Sequence, residues 1–133
     1  MRRLTILVAP MLLAACVLHT GHQPSDFEPA RTAQGVHASL TVGPTRVDGE
    51  LLEVRDTGLV VHTPTQLAFI PFSAVTQGTF GSSDVILANA RKPDYPDLYK
   101  LRMVSRFPYG IPDAALQQLL VSQHQDSLAV MVP

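Results

Sequence analysis

The chain has no tryptophan, one cysteine, three tyrosines and five phenylalanines among its 133 residues. A single thiol excludes an intramolecular disulfide, so outside a reducing compartment the fold relies on its core. The shortage of aromatic rings argues against a sugar-stacking or cation-caging surface. Charge is thin as well. Ten Lys/Arg stand against eleven Asp/Glu, a balance with no global attraction for nucleic acid or anionic lipid. No apolar run reaches the ~20 residues that a membrane-spanning helix needs. The length suits one domain and not two.

The most telling residue is the lone cysteine, Cys16. Met1-Arg2-Arg3 is a short basic start, and Leu4 to Ala15 is apolar apart from Thr5 and Pro10. The stretch ends in Leu13-Ala14-Ala15-Cys16. A charged start, an apolar centre and a small-residue cleavage site make an export signal over residues 1–15. With the cysteine directly after the small residues, the pattern resembles the lipobox of bacterial lipoproteins. The resemblance implies diacylglycerol on the Cys16 thiol, cleavage before Cys16, and acylation of the new amino terminus with a fatty acid such as palmitate. Each chain inserts at about 0.8 kcal/mol per buried CH₂, and two or three chains together make attachment essentially permanent. An ordinary cleaved signal would instead leave a stray thiol in an exported protein. Thr5 stands where a twin-arginine signal wants an apolar residue, which favours general secretion. Val17 follows the cysteine where inner-membrane retention usually has aspartate, so the family rule points to the outer membrane. Losing Arg2 and Arg3 leaves eight basic against eleven acidic residues, a formal charge of −3.

Residues 16–35 have no sustained apolar period and read as a flexible tether. His19 and His22 lie in it without the further ligands a metal site needs. The globular domain is expected over 36–133. Val36 to Val42 alternates apolar and polar, as a half-buried strand does. Gly43-Pro44-Thr45 turns the chain. Alternation resumes at Val47, then slips by one residue at Leu52 and Val54, the signature of a β-bulge beside Gly49. Asp56-Thr57-Gly58 marks a second turn, with Gly58 expected at positive φ. Strands follow over Leu59–Thr63, Gln66–Phe72 and about Thr76–Phe80, with one helical turn at Ser73-Ala74-Val75. Four or five short, bent strands at this spacing suggest a small antiparallel barrel.

The segments Gly49–Val54, Gly58–Val61 and Ile70–Val75 resemble the core of SH3-like and Sm-like barrels, over about residues 36–80. The resemblance implies a strongly bent second strand and a one-turn helix between strands four and five. It is a likeness of fold, and such barrels carry unrelated functions. The segments matching the Sm RNA-binding loops hold Arg46 but no aromatic beside a basic cluster.

Residues 81–133 form an α/β extension. Val85-Ile86-Leu87 suggests one more strand or a packed linker. Two prolines place Arg91 to Asp97 in a loop. Leu98 to Phe107 fits either period, with composition favouring helix. Pro112 to Gln123 reads as a helix, with proline in its first turn and Ala115, Leu116, Leu119 and Leu120 on one face. Leu128 to Val132 reads as a short closing strand, and both helices are expected on one open end or face of the barrel. The fold class is therefore α+β.

No catalytic frame is visible. Ser39, Ser73, Ser82, Ser83, Ser105, Ser122 and Ser127 are available with His37, His62 and His124, but no nucleophile elbow surrounds any of them. The carboxylate pairs Glu50/Glu53 and Asp94/Asp97 lie on a bent strand and in a loop. No metal, cofactor or enzymatic activity is expected. The one charge asymmetry is Arg91, Lys92, Lys100, Arg102 and Arg106 against Asp94 and Asp97, interleaved with Tyr95, Tyr99, Phe107 and Tyr109. Arginine with aromatics is the composition of a protein-binding patch, and Arg91, Lys92, Tyr99, Lys100, Arg102 and Arg106 are its candidate residues. A solvated face or a cover for the barrel has the same composition. The sequence thus points to a non-enzymatic interaction or structural module of the envelope, whose expected partner is another envelope protein. An enzyme accessory, or a weak hydrolase using His62 or His124, is the alternative. A Sm-like nucleic-acid binder is a further one, opposed by export and by net charge.

Overall fold

The computed structural model describes residues 34–133. The residues expected to be the export signal and tether as far as Ala33, with Cys16, His19 and His22, lie outside the described residues. Seven strands and two helices make an α+β fold. A hairpin of β1 (His37–Val42) and β2 (Thr45–Val54) continues antiparallel into β3 (Gly58–His62) and β4 (Leu67–Pro71). A single 3-10 turn, Phe72–Ala74, leads into β5 (Val75–Phe80), which returns to pair with β1. Outside β5 lies β6 (Ile86–Ala88), and beyond β4 lies β7 (Ala129–Val130). The sheet order is β6-β5-β1-β2-β3-β4-β7.

The alternation seen in the sequence is the inside/outside period of β1, where Ala38, Leu40 and Val42 are buried. In β2 the register skips Leu52, between Leu51 opposite Val61 and Glu53 opposite Val60. Val47, Gly49 and Leu51 are buried before the bulge, and afterwards Val54 is buried while Glu53 is only partly covered. The bulge was expected from the phase slip.

Gly58 corrects an expectation. It is not among the positive-φ glycines, and it belongs to β3 rather than to a left-handed turn. What it supplies is room. A Cβ there would sit 2.4 Å from the Ile70 carbonyl oxygen and 2.8 Å from the Phe69 ring. Gly49 does the same in bent β2, where a Cβ would meet the His62 carbonyl oxygen at 2.3 Å.

Two apolar clusters lie on opposite faces of the strands. The larger gathers Leu40, Leu51, Leu59, Val61, Ile70, Val75, Phe80 and Leu87, and α1 (Tyr95–Val104) seals it with Leu98 and Leu101. The smaller holds Leu52, Val60, Leu67 and Leu120, rimmed by half-buried Phe107, Ile111, Leu116, Leu119 and Leu128. Leu120 comes from α2 (Asp113–Ser122). Covering β3 on both sides explains its unbroken Leu59-Val60-Val61 run, since two-sided burial removes the polar phase. Each fully buried Leu or Val contributes about 1.5–3 kcal/mol. The helices therefore do not share one end or face. One closes the main core and the other lies on the reverse side of β2–β4.

Two further expectations change. The segment 91–97 is loop only as far as Asp94, because α1 starts at Tyr95 with a proline in its first turn. Proline costs no hydrogen bond there, since first-turn N–H groups have no helical partner. The last strand pairs with β4 in parallel, Ala68 with Ala129 and Phe69 with Val130. Just before it, the Gln125 side-chain amide imitates a strand. Its oxygen accepts from Leu67 N–H at 2.7 Å, and its Nε2 donates to the Leu67 carbonyl at 2.9 Å.

Candidate functional site

The bulge and the following turn bring the end of β2 against α1 and the turn after it. Glu53, Val54, Arg55 and Asp56 form one wall of an open groove of about 500 Å³. Tyr99 and Arg102 of α1, with Pro108, Tyr109 and Gly110, form the other. Arg102 ties the walls together, its guanidinium donating to Asp56 Oδ1 at 2.7 Å and to the Val54 carbonyl at 3.3 Å. On the other side Glu53, its side chain only 14% exposed, accepts from Arg55 Nε at 3.2 Å and from Ile111 N–H at 3.4 Å. Arg55 also stacks 5.9 Å from the Phe69 ring. The polar groups of this groove are thus already held in place.

Beyond these paired groups, what the groove exposes is aromatic. Tyr95, Tyr99 and Tyr109 are 72%, 41% and 81% exposed, and they are all the tyrosines of the chain. Tyr95 and Tyr99 pack with ring centroids 6.4 Å apart, and Tyr99 shares the groove with Tyr109. The described phenylalanines, Phe69, Phe72, Phe80 and Phe107, are buried or half-buried instead.

The basic segment does not form one positive patch. Lys100 donates to Asp84 at 3.0 Å and lies 4.0 Å from Asp97. Arg106 turns to Glu50 at 3.8 Å, with its guanidinium 5.5 Å from the Phe107 ring. Arg46 pairs with Asp48, Arg55 with Glu53, and Arg102 with Asp56. Of the seven described Lys and Arg residues, only Arg91 and Lys92 have no acidic partner among the described residues, and both are exposed. Of the six candidate docking residues, Tyr99 and Arg102 meet in the groove, while Arg91 and Lys92 precede α1. Charge counting along the chain missed these pairings, because Asp56 and Asp84 lie 46 and 16 residues from their partners.

A second groove, of about 540 Å³, lies over the outer side of β1–β3. Cross-strand register lines up His37, Glu50 and His62 in one row. Gln34 and Gly35 border it, and Gly35 N–H donates to Glu50 Oε1 at 2.8 Å. Next to the row Asp48 accepts from the Ser39 hydroxyl and from Arg46 Nε at 2.9 Å, with His37 Nε2 at 3.4 Å. The Ser39 bond first, then Arg46, hold the Asp48 carboxyl at about 2 instead of 3.8. Serine, histidine and aspartate are therefore together, but in the wrong order for a triad. Ser39 gives its hydrogen bond to a weakly basic carboxylate and none to an imidazole, which a serine nucleophile requires. Of the other histidines considered, His62 is half-buried in this groove and His124 is exposed just past α2. Among the described residues, no three His, Cys, Asp or Glu side chains form a group able to hold a metal ion. No described helix is long and apolar enough to cross a membrane.

Comparison of the chain with protein-family models, with curated proteins and with solved structures gives no match.

Proposed function

We propose that the chain is a lipoprotein of the bacterial cell envelope, anchored through lipidated Cys16, whose folded part is a non-enzymatic docking module for another envelope protein. The observation that carries the docking role is the placement of the tyrosines. A chain poor in aromatics leaves all three of its tyrosines exposed on one surface beside an arginine-bridged groove, while its described phenylalanines are covered. Tyrosine and arginine are the residues that dominate binding energy at protein interfaces. The pre-paired Arg102–Asp56 and Glu53–Arg55 walls keep the groove ordered before binding, which lowers the entropic cost of association.

The anchor rests on Leu13-Ala14-Ala15-Cys16, and the outer-membrane assignment on Val17 after the cysteine. The SH3-like or Sm-like barrel reading is supported by the central order β5-β1-β2-β3-β4, by the bulge in β2 and by the 3-10 turn between β4 and β5. Among the described residues the sheet itself stays open, with β6 and β7 at its two edges.

Two experiments test the proposal. Cys16→Ser is expected to release the protein from the membrane fraction, and a variant still processed at the same bond and still membrane-bound refutes the anchor. A photo-crosslinking amino acid at position 99, in cells making the lipidated chain, is expected to capture one discrete partner. Capture is expected to drop sharply with Tyr95→Ala/Tyr109→Ala at unchanged thermal stability. No adduct, or an adduct indifferent to both tyrosines, removes the docking role.

A further inference from the structure

The two outer edges of the sheet are finished differently. At β4 the edge is covered by the Gln125 amide and by β7. At the opposite end β6 pairs, among the described residues, only with β5. Asn89 N–H bonds to the Thr76 carbonyl at 3.0 Å, so the groups facing β5 belong to Leu87 and Asn89. By the same alternation the N–H and C=O of Ile86 and of Ala88 point to the free edge. The Ala88 carbonyl accepts from Arg91 N–H at 3.3 Å, which leaves three groups open: Ile86 N–H, Ile86 C=O and Ala88 N–H. Leu87 anchors the strand inward at 2% exposure, while the Ile86 side chain is 65% exposed. An open strand edge is a template for a further strand.

The charges beside this edge are equally unmatched. Asn89 and Ala90, both at positive φ (57° and 55°), end the strand, and Arg91 and Lys92 follow at once. These are the two described cations without an acidic partner, and Tyr95 comes three residues later. Lys100 of α1 reaches back to Asp84 just before β6, so the edge and the tyrosine helix are neighbours.

We infer that the β6 edge, with Arg91 and Lys92, takes an extended acidic segment of the partner protein as an added strand. The inference rests on the docking role proposed above and gives the partner its chemistry. Ile86 and Ala88 supply three backbone hydrogen bonds, the Ile86 side chain supplies apolar contact, and the two cations select carboxylates. A three-residue edge is too short to hold a strand by backbone bonds alone. The selectivity lies in the charges, and the β-strand addition sets the register.

Carbodiimide coupling tests this, because it joins an amine to a carboxylate only in direct contact. The chain has two lysines, and Lys100 is an internal control expected to couple to its own Asp84. In cells making the lipidated chain, Lys92 is expected to couple to an Asp or Glu of the same protein that the position-99 photo-crosslinker captures. Arg91→Glu/Lys92→Glu, at exposed positions with no ion pair to lose, is expected to lower photo-capture about tenfold and to weaken its salt dependence. Ile86→Pro, which removes one edge N–H, is expected to lower it by a similar factor with the circular dichroism spectrum unchanged. If the control couples and Lys92 does not, while photo-capture persists, the acidic strand is wrong and the docking role stands. If neither captures a protein, both fall. Lys92 coupled only to a second copy of this chain overturns the inference. So does charge-dependent binding of the Cys16→Ser chain to phosphatidylglycerol vesicles with no protein coupled.

Discussion

The sheet body and the C-terminal extension are held by different forces. The body, β1–β6 with α1, packs eighteen buried residues into one cluster, many without any exposure. The extension, α2 with β7, shares a cluster of four buried residues whose rim is half-open, and α2 itself buries only Leu120. It is held just as much by hydrogen bonds to one strand edge, from Gln125 to Leu67 and from Met131 N–H to the Phe69 carbonyl. The body is a core that keeps its own shape. The extension is a layer laid on the reverse face, with Met131 alone reaching the main cluster, and its chief structural effect is to cover the β4 edge.

Truncations in the two regions put that contrast to the test. Leu101→Ala empties a fully buried site in the main cluster, and a loss of about 4 kcal/mol in urea unfolding is expected, near the upper part of the Leu→Ala range. Leu120→Ala removes the one buried side chain of α2, and about 2.5 kcal/mol is expected because the half-open rim relaxes into the gap. Equal losses would mean that the extension is as much a part of the core as α1. Gln125→Ala deprives Leu67 of its N–H and C=O partners, and about 1.5 kcal/mol is expected from leaving backbone groups unpaired. Hydrogen exchange is expected to speed up at Leu67 and α2 while β1 and β5 stay protected. Uniform acceleration would break the comparison.

The smallest effect belongs to the body's outer face. The folded-state value of Asp48, about 2, lies below its ordinary 3.8. The stabilisation from its ionised form is thus complete above about pH 4 and is lost as pH falls through about 2. Asp84, lowered by Lys100, acts in the same direction. Asp48→Asn is expected to flatten the acid limb by lowering thermal stability at pH 6–8 towards its acid value, with no new slope between pH 6 and 8. An acid limb identical to wild type would show that Ser39 and Arg46 do not hold this carboxylate in solution.

Much of the body could be read from residue periods. The strand pattern, the bulge at Leu52 and the turn before β5, and in the extension the helix over 113–122, each follow from local spacing of apolar residues, which neighbours along the chain largely determine. The start of α1 is hidden in the sequence because two nearby prolines signal a break, although Pro96 sits harmlessly in the first turn. Gly58 looks like a turn residue in the sequence, which does not reveal the Phe69 ring and Ile70 carbonyl that leave no room for a Cβ there. The candidate site was legible in composition alone. Tyr99 and Arg102 could be picked out, but not the groove they make with Glu53 and Asp56, nor the difference between paired Lys100 and unpaired Lys92.

The sequence by itself determined the strand and helix periods, the single cysteine at position 16 and the scarcity of aromatic rings. These depend on residue identity and spacing over a few positions. Only the tertiary structure decided which face each helix covers, that the last strand joins β4 in parallel, which cations meet carboxylates, and that the tyrosines stay outside. Each of those outcomes is a contact between residues far apart in the chain. Such contacts arise only when the sheet bends around its core, where packing and desolvation outweigh local preference.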